Sequence, residues 1–148
     1  MPKIEHFVAV AESVAAMSKD PSSKVGAIAI DDDSNILCVG FNGFPRGVRD
    51  TEARYADKPT KYRLVSHAEQ NLVAQAARNG IALKGSTVII TSLPPCSSCT
   101  KSLIQAGVKH IYFPEPGIGT NALWVEEWNW SRMMLIEAEV TYTMYRKD

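Results

Sequence analysis

Ser66-His67-Ala68-Glu69-Gln70-Asn71, answered downstream by Pro94-Pro95-Cys96-Ser97-Ser98-Cys99, is the pair of stretches from which the rest of this chain can be read. His67, Cys96 and Cys99 are residue types that bind zinc, and Glu69 places a carboxylate two positions after the histidine. Zinc takes nitrogen and sulfur donors in a tetrahedron. A structural site fills all four positions with protein, whereas a catalytic site fills three and leaves the fourth to water. No fourth ligand stands out, because Cys38 and His110 lie in apolar, strand-like runs and His6 lies near the start of the chain. The count therefore points to an open site, in which water is acidified from a pKa of about 15.7 toward roughly 7.

Local structure supports the pairing. Pro94-Pro95 ends a strand, since proline removes a donor and locks φ. Cys96-x-x-Cys99 then opens a helix running to about Ala106, with both thiols near its positive end, which favours thiolate. Ser66 is expected to cap a helix that Gly80 ends. His67 and Glu69 are about 200° apart around a helix axis and would not share a mid-helix face. In a first turn, both can flank a ligand lying beyond the helix end. That geometry makes Glu69 a proton carrier and not a ligand. Taken alone, His-x-Glu is common by chance, and Cys-x-x-Cys could be a redox pair or half of a zinc ribbon. A ribbon needs a second cysteine pair, which is absent, and a redox motif does not need the upstream His-x-Glu.

Working outward, apolar positions Ile4, Phe7, Val8, Ala11, Val14, Ala15 and Met17 have helical spacing, stopped by Asp20-Pro21. Val25–Ile30 and Ile36–Phe41 read as antiparallel strands joined by the polar turn 31–35. Residues 46–63 read as a long surface loop with a short helix around Thr51–Tyr55, and loops of this length are usually functional. Val88–Thr91, Lys109–Phe113 and Val140–Tyr145 read as strands, and Asn121–Glu137 as a helix. The order predicts a three-layer α/β/α sandwich around a mixed five-stranded sheet. Trp124, Trp128 and Trp130 on the late helix read as core or subunit-interface material.

The 148 residues are read as one domain spanning 1–148, with an ordinary 45% hydrophobic content. A formal net charge of zero lacks the basic footprint expected of an enzyme working on long nucleic acid. Once Cys96 and Cys99 are assigned to a metal, Cys38 is left alone as a small buried hydrophobe. No disulfide framework remains, which suits a reducing, cytoplasmic setting. No signal peptide or membrane-spanning run is evident.

Four segments together resemble the deoxycytidylate (dCMP) deaminases of the cytidine deaminase superfamily. They are Ser18-Lys19-Asp20-Pro21 with Val25-Gly26-Ala27; Gly40-Phe41-Asn42-Gly43-Phe44-Pro45-Arg46-Gly47; His67-Ala68-Glu69-Gln70-Asn71; and Pro95-Cys96-Ser97-Ser98-Cys99. The metal pattern is the superfamily's signature, and the Asn-Gly loop narrows it. The resemblance implies zinc-dependent hydrolysis of dCMP to dUMP and ammonia, supplying dUMP for thymidylate synthesis, with one Zn2+ per subunit. It implies substrate contacts from Asn42, Ala68, Phe113 and Lys24. It also implies a homo-oligomer, a hexamer in many members, activated by dCTP and inhibited by dTTP. The effector site would draw on Asn42, Gly43, Phe44, Arg46, Gly47 and Asp50, and Mg2+ would accompany the triphosphate. Arg49, Lys19 and Lys24 are further candidates for its charge.

Residues 46–66 hold no Cys or His, so the second, structural zinc of some phage members is not expected. Gln70 departs from the aliphatic residue usual after the catalytic Glu. Two rival readings remain open: another superfamily member acting on tRNA, free cytidine or a triphosphate, and a non-catalytic nucleotide sensor with a structural zinc.

Overall fold

The computed structural model describes residues 3–117 and 120–147. Its elements run α1 (Ile4–Ala15), β1 (Gly26–Ile30), β2 (Ile36–Phe41), α2 (Glu52–Ala56), α3 (Lys58–Leu64), α4 (Ala68–Asn79), β3 (Thr87–Ile90), α5 (Ser97–Gln105), β4 (His110–Pro114), α6 (Ala122–Glu137) and β5 (Thr141–Tyr145). The sheet order is β2-β1-β3-β4-β5. β1 is antiparallel to both β2 and β3, while β3, β4 and β5 run parallel, giving the mixed sheet expected.

Alternation along the strands divides the core into two layers, because successive side chains point to opposite sheet faces. Ile28, Ile30, Ile89 and Tyr112 meet Ala11 and Val14 of α1 on one face. Ala27, Ala29, Val88, Ile90, Ile111 and Phe113 meet Leu72 of α4, Leu103 of α5 and Leu135 of α6 on the other. The result is the three-layer α/β/α sandwich, with one helix on one side and three on the other.

Two glycines allow the helices to sit close. A Cβ on Gly26 would collide with the backbone of Ala11 in α1. A Cβ on Gly40 of β2 would lie 2.5 Å from both Ala68 O and Leu72 N of α4. Gly40 thus lets the first turn of α4 rest directly on the sheet.

The segment read as a long loop contains α3 as well as the short helix α2. Thr51 caps α2, accepting from Arg54 N, and Asp57 caps α3, accepting from Thr60 N. Asp57 followed by Pro59 in the first turn is a helix-start signal. It escaped a reading based on apolar periodicity because α3 buries none of its residues. Ser66 is not the cap of α4. Its N–H and C=O pair with Gly43 at 2.8 and 3.1 Å, which leaves His67 as the N-cap. Among the described residues, no helix is long and apolar enough to cross a membrane.

Candidate metal centre and cavity

The centre is assembled where two helices begin. His67 is the N-cap of α4 and Cys96 the N-cap of α5, both with extended backbone. Gln70 fixes the first: its Oε1 accepts the His67 backbone N–H at 3.0 Å. The departure noted at Gln70 is therefore a capping residue, satisfying a donor that the helix leaves open. Asn71 ties the same turn to β2 by donating to Phe41 O at 2.7 Å.

His67 Nδ1 lies 3.3 Å from Cys99 Sγ and 3.6 Å from Cys96 Sγ. All three donor atoms lie within 4.8 Å of one another. Tetrahedral zinc, with Zn–S of about 2.3 Å and Zn–N of about 2.1 Å, demands an N···S separation of roughly 3.6 Å. The donor set and its spacing fit that ion, with Nδ1 as the ligating nitrogen.

The surroundings treat the two thiols differently. The hydrogen bond with Cys99 holds the Cys96 thiol down to about 4, with His67 assisting against burial. The same bond and burial push Cys99 up. The partner Cys96 raises His67, against its own burial.

Glu69 follows His67 in the first turn of α4 and is buried. Burial raises its carboxyl, and the nearby His67 and Cys99 oppose that effect. His67, Glu69 and Cys96 open into one cavity of about 410 Å³. First-turn geometry thus brings histidine and glutamate to the same opening, as the sequence reading required.

The cavity sorts the other expected residues. Ala68 and Asn42 line it. The Asn42 amide is already engaged: Oδ1 accepts from Val25 N at 2.8 Å, and Nδ2 donates to Ser23 O at 2.8 Å and to Asp20 Oδ2 at 3.4 Å. It holds the 20–25 loop that forms part of the wall. Phe113 does not line the cavity; fully buried, it packs against Trp128 and Tyr142, because its position in β4 points into the helix layer. Lys24 is absent from the lining too, and its Nζ donates to Ser18 O. Trp124 is a lining residue, whereas Trp128 is core and Trp130 is exposed.

Sequence reasoning missed Asp20, Ser22, Ser23, Lys61 and Tyr62 as lining residues. The Asp57-x-Pro59 helix start would have placed Lys61 and Tyr62 on an ordered element. Nothing local predicted that Asp20 and Lys61 would meet.

A second cavity of about 690 Å³ lies against β2 and α4, lined in part by Gly43, Phe44, Arg46, Gln75 and Arg78. Arg46 donates to Gln75 Oε1 there. Asn42, Gly47 and Asp50 do not line it, and Asp50 pairs with Lys19 at 2.9 Å.

Comparison with known proteins agrees with this geometry. The profile of the family described as "Cytidine and deoxycytidylate deaminase zinc-binding region" matches residues 1–115. The chain is 37% identical over 144 residues to a protein of Aliivibrio fischeri described as an uncharacterized deaminase in the luxG 3′ region, covering 97% of this chain and 94% of that one. It is 40% identical over 114 residues to the deoxycytidylate deaminase of Homo sapiens, covering 74% of this chain but only 62% of the human one. Among solved structures, it is similar to the dCMP deaminase of cyanophage S-TIM5 in complex with dCMP and dUMP, with a TM-score of 0.75, 28% identity and 98% coverage of both chains.

Proposed function

This chain belongs to the cytidine and deoxycytidylate deaminase zinc-binding family, and on that premise we propose that residues 1–148 act as one unit hydrolysing dCMP to dUMP and ammonia. The observation that carries the reading is the convergence of His67 Nδ1, two cysteine sulfurs and a buried Glu69 on one cavity. The cyanophage relative, crystallised with dCMP and dUMP, supports the choice of substrate.

His67, Cys96 and Cys99 would hold the ion. Bound there, zinc supplies a Lewis acid that makes water nucleophilic at neutral pH. Glu69 carries the protons. It accepts one from the attacking water and passes it to N3 of cytosine as oxygen adds to C4. It then takes the remaining proton from the new C4 hydroxyl and delivers it to the C4 amine, so that C4=O forms as the C4–N bond breaks and ammonia leaves. Burial that raises a carboxyl toward the working pH suits a group that must both take and give a proton. Backbone around Ala68 and Cys96 borders the base, and the Asn42-held loop forms a wall. Lys61, the one Lys or Arg among the lining residues described, meets the 5′-phosphate.

Regulation by dCTP and dTTP, with Mg2+ carried on the triphosphate, belongs to the same proposal. The second cavity brings two guanidinium groups, Arg46 and Arg78, beside Gly43 and Phe44, which suits a phosphate chain. A homo-oligomer, a hexamer by family resemblance, would carry these sites. Ammonia release from dCMP, CMP, dCTP and a tRNA hairpin, each with and without dCTP or dTTP, tests the whole reading. No release from any cytosine nucleotide by zinc-loaded protein would favour the sensor reading instead.

A further inference from the structure

The two metal-binding thiols are held in different ways. Cys99 is fully buried inside the first turn of α5, so packing fixes it. Cys96 stands outside the helix as its N-cap, is only half-buried, and has φ −68° and ψ 170°. Packing alone does not set its direction.

Two side chains of α6 do. A peptide unit is a rigid plane, so fixing the planes before and after a residue fixes its φ and ψ and hence its Cα–Cβ direction. The plane before Cys96 contains Pro95 C=O, which accepts from Ser131 Oγ at 2.8 Å and from Thr100 Oγ1 at 3.4 Å. The plane after it contains Ser97 N–H, which donates to Glu127 Oε1 at 3.1 Å. Ser97 Oγ donates to the same oxygen at 2.9 Å. Glu127 and Ser131 are four residues apart and so share one helix face. α6 packs Leu135 and the half-buried Trp128 against the core, while Trp130, Met133 and Ile136 are exposed, and these polar bonds add a second attachment of the helix, to the start of α5.

We propose that Glu127 and Ser131 are positioning residues of the metal centre, a two-point clamp from α6 that fixes both peptide planes of Cys96 and aims its Sγ at His67 Nδ1. The proposal rests on His67, Cys96 and Cys99 being zinc ligands. A different role for Glu127 would be to neutralise the positive end of α5, which depends on its charge and not on where its oxygen lies.

Zinc transfer from the loaded full chain to a colorimetric chelator separates these roles. Removing groups that orient a ligand typically costs about 10–100-fold in metal affinity. Glu127→Ala and Ser131→Ala should each release zinc about tenfold faster or more. Glu127→Gln, which keeps the acceptor oxygen and drops the charge, should stay within about threefold of the parent. Should Glu127→Ala not fold, Glu127→Asp, which keeps the charge but shortens the reach, takes its place and should also release faster. Release unchanged in Glu127→Ala and Ser131→Ala, or Glu127→Gln as fast as Glu127→Ala, overturns the clamp. A parent chain that takes up no zinc would instead refute the metal reading itself.

Discussion

Lys61 Nζ lies 2.9 Å from Asp20 Oδ1 at the wall of the cavity that His67, Glu69 and Cys96 share, with the two side chains 12% and 3% exposed. The pair joins α3 to the loop after α1 across 41 residues of sequence. The Ser22 and Ser23 N–H groups donate to the same Asp20 oxygen, so the carboxylate is held on three sides. The ammonium is thereby oriented with donors to spare.

If Lys61 meets the substrate phosphate, its loss should act on selectivity. A hydrogen bond to a charged group contributes about 1.5–3 kcal/mol, or roughly 10–150-fold. Lys61→Gln should lower kcat/KM for dCMP by about that factor and shrink the preference for dCMP over deoxycytidine, with Lys61→Arg recovering part of it. Steady-state kinetics on both substrates measure this, and an undiminished preference would remove Lys61 from the phosphate site.

Asp20 should leave a mark on acid stability. Burial, the largest influence, pushes its carboxyl up, but Lys61 and the Ser22 and Ser23 amides outweigh it, so the group lies below the usual 3.8. Its contribution is present above about pH 3.8 and is lost as pH falls through the lowered value. Urea unfolding from pH 6 to pH 2 should show Asp20→Asn less stable near neutrality, with the gap closing below 3.8. A gap constant over that range would contradict the lowered value.

Glu69 has the opposite sign. Its carboxyl lies above the ordinary 4.5 because it is buried. In chelator-treated protein, the stability it contributes is present below about 4.5 and lost as pH rises through the raised value. Glu69→Gln should therefore gain on the parent with rising pH, by at most about 1.4 kcal/mol per pH unit. The loaded variant should keep its zinc and lose turnover by several orders of magnitude, with about 10²–10⁴-fold from the lost proton transfer itself. Elemental analysis with an ammonia assay tests the second half, and near-parental turnover would end the proton-carrier role.

Gly40→Ala should injure the site from beneath. Its Cβ would meet backbone atoms of Ala68 and Leu72 that cannot swing aside, so the first turn of α4 must shift. Overpacking of this kind costs about 1–3 kcal/mol. Because that turn carries Glu69 and is capped by His67, thermal unfolding and kcat/KM should fall together. An unchanged activity would mean that α4 can move without disturbing the cavity.

Much of this protein is legible in one dimension because its signals are local. Helical and strand periodicities located the main elements, and the layers followed from their order. The cluster of His67, Cys96 and Cys99 was readable because zinc chemistry accepts few side chains. The first-turn argument used only helix geometry, and His67 and Glu69 do line one cavity. Failures came where the deciding contact was distant or the element carried no apolar pattern. Phe113 sits at the end of a strand near the site, yet its face of the sheet turns it into the core. Lys24 is a free cation on paper, but the folded chain gives it Ser18 O as a partner.

What the sequence by itself determined is the donor chemistry and the element order, since ligand type and residue periodicity belong to single residues and their near neighbours. Only the tertiary structure decided which wall each side chain faces. Asp20 meets Lys61, Asn42 grips the 20–25 loop, and Glu127 reaches Ser97 because sheet pairing and helix packing bring remote backbones within about 3 Å of hydrogen-bond reach, a distance that no local pattern encodes.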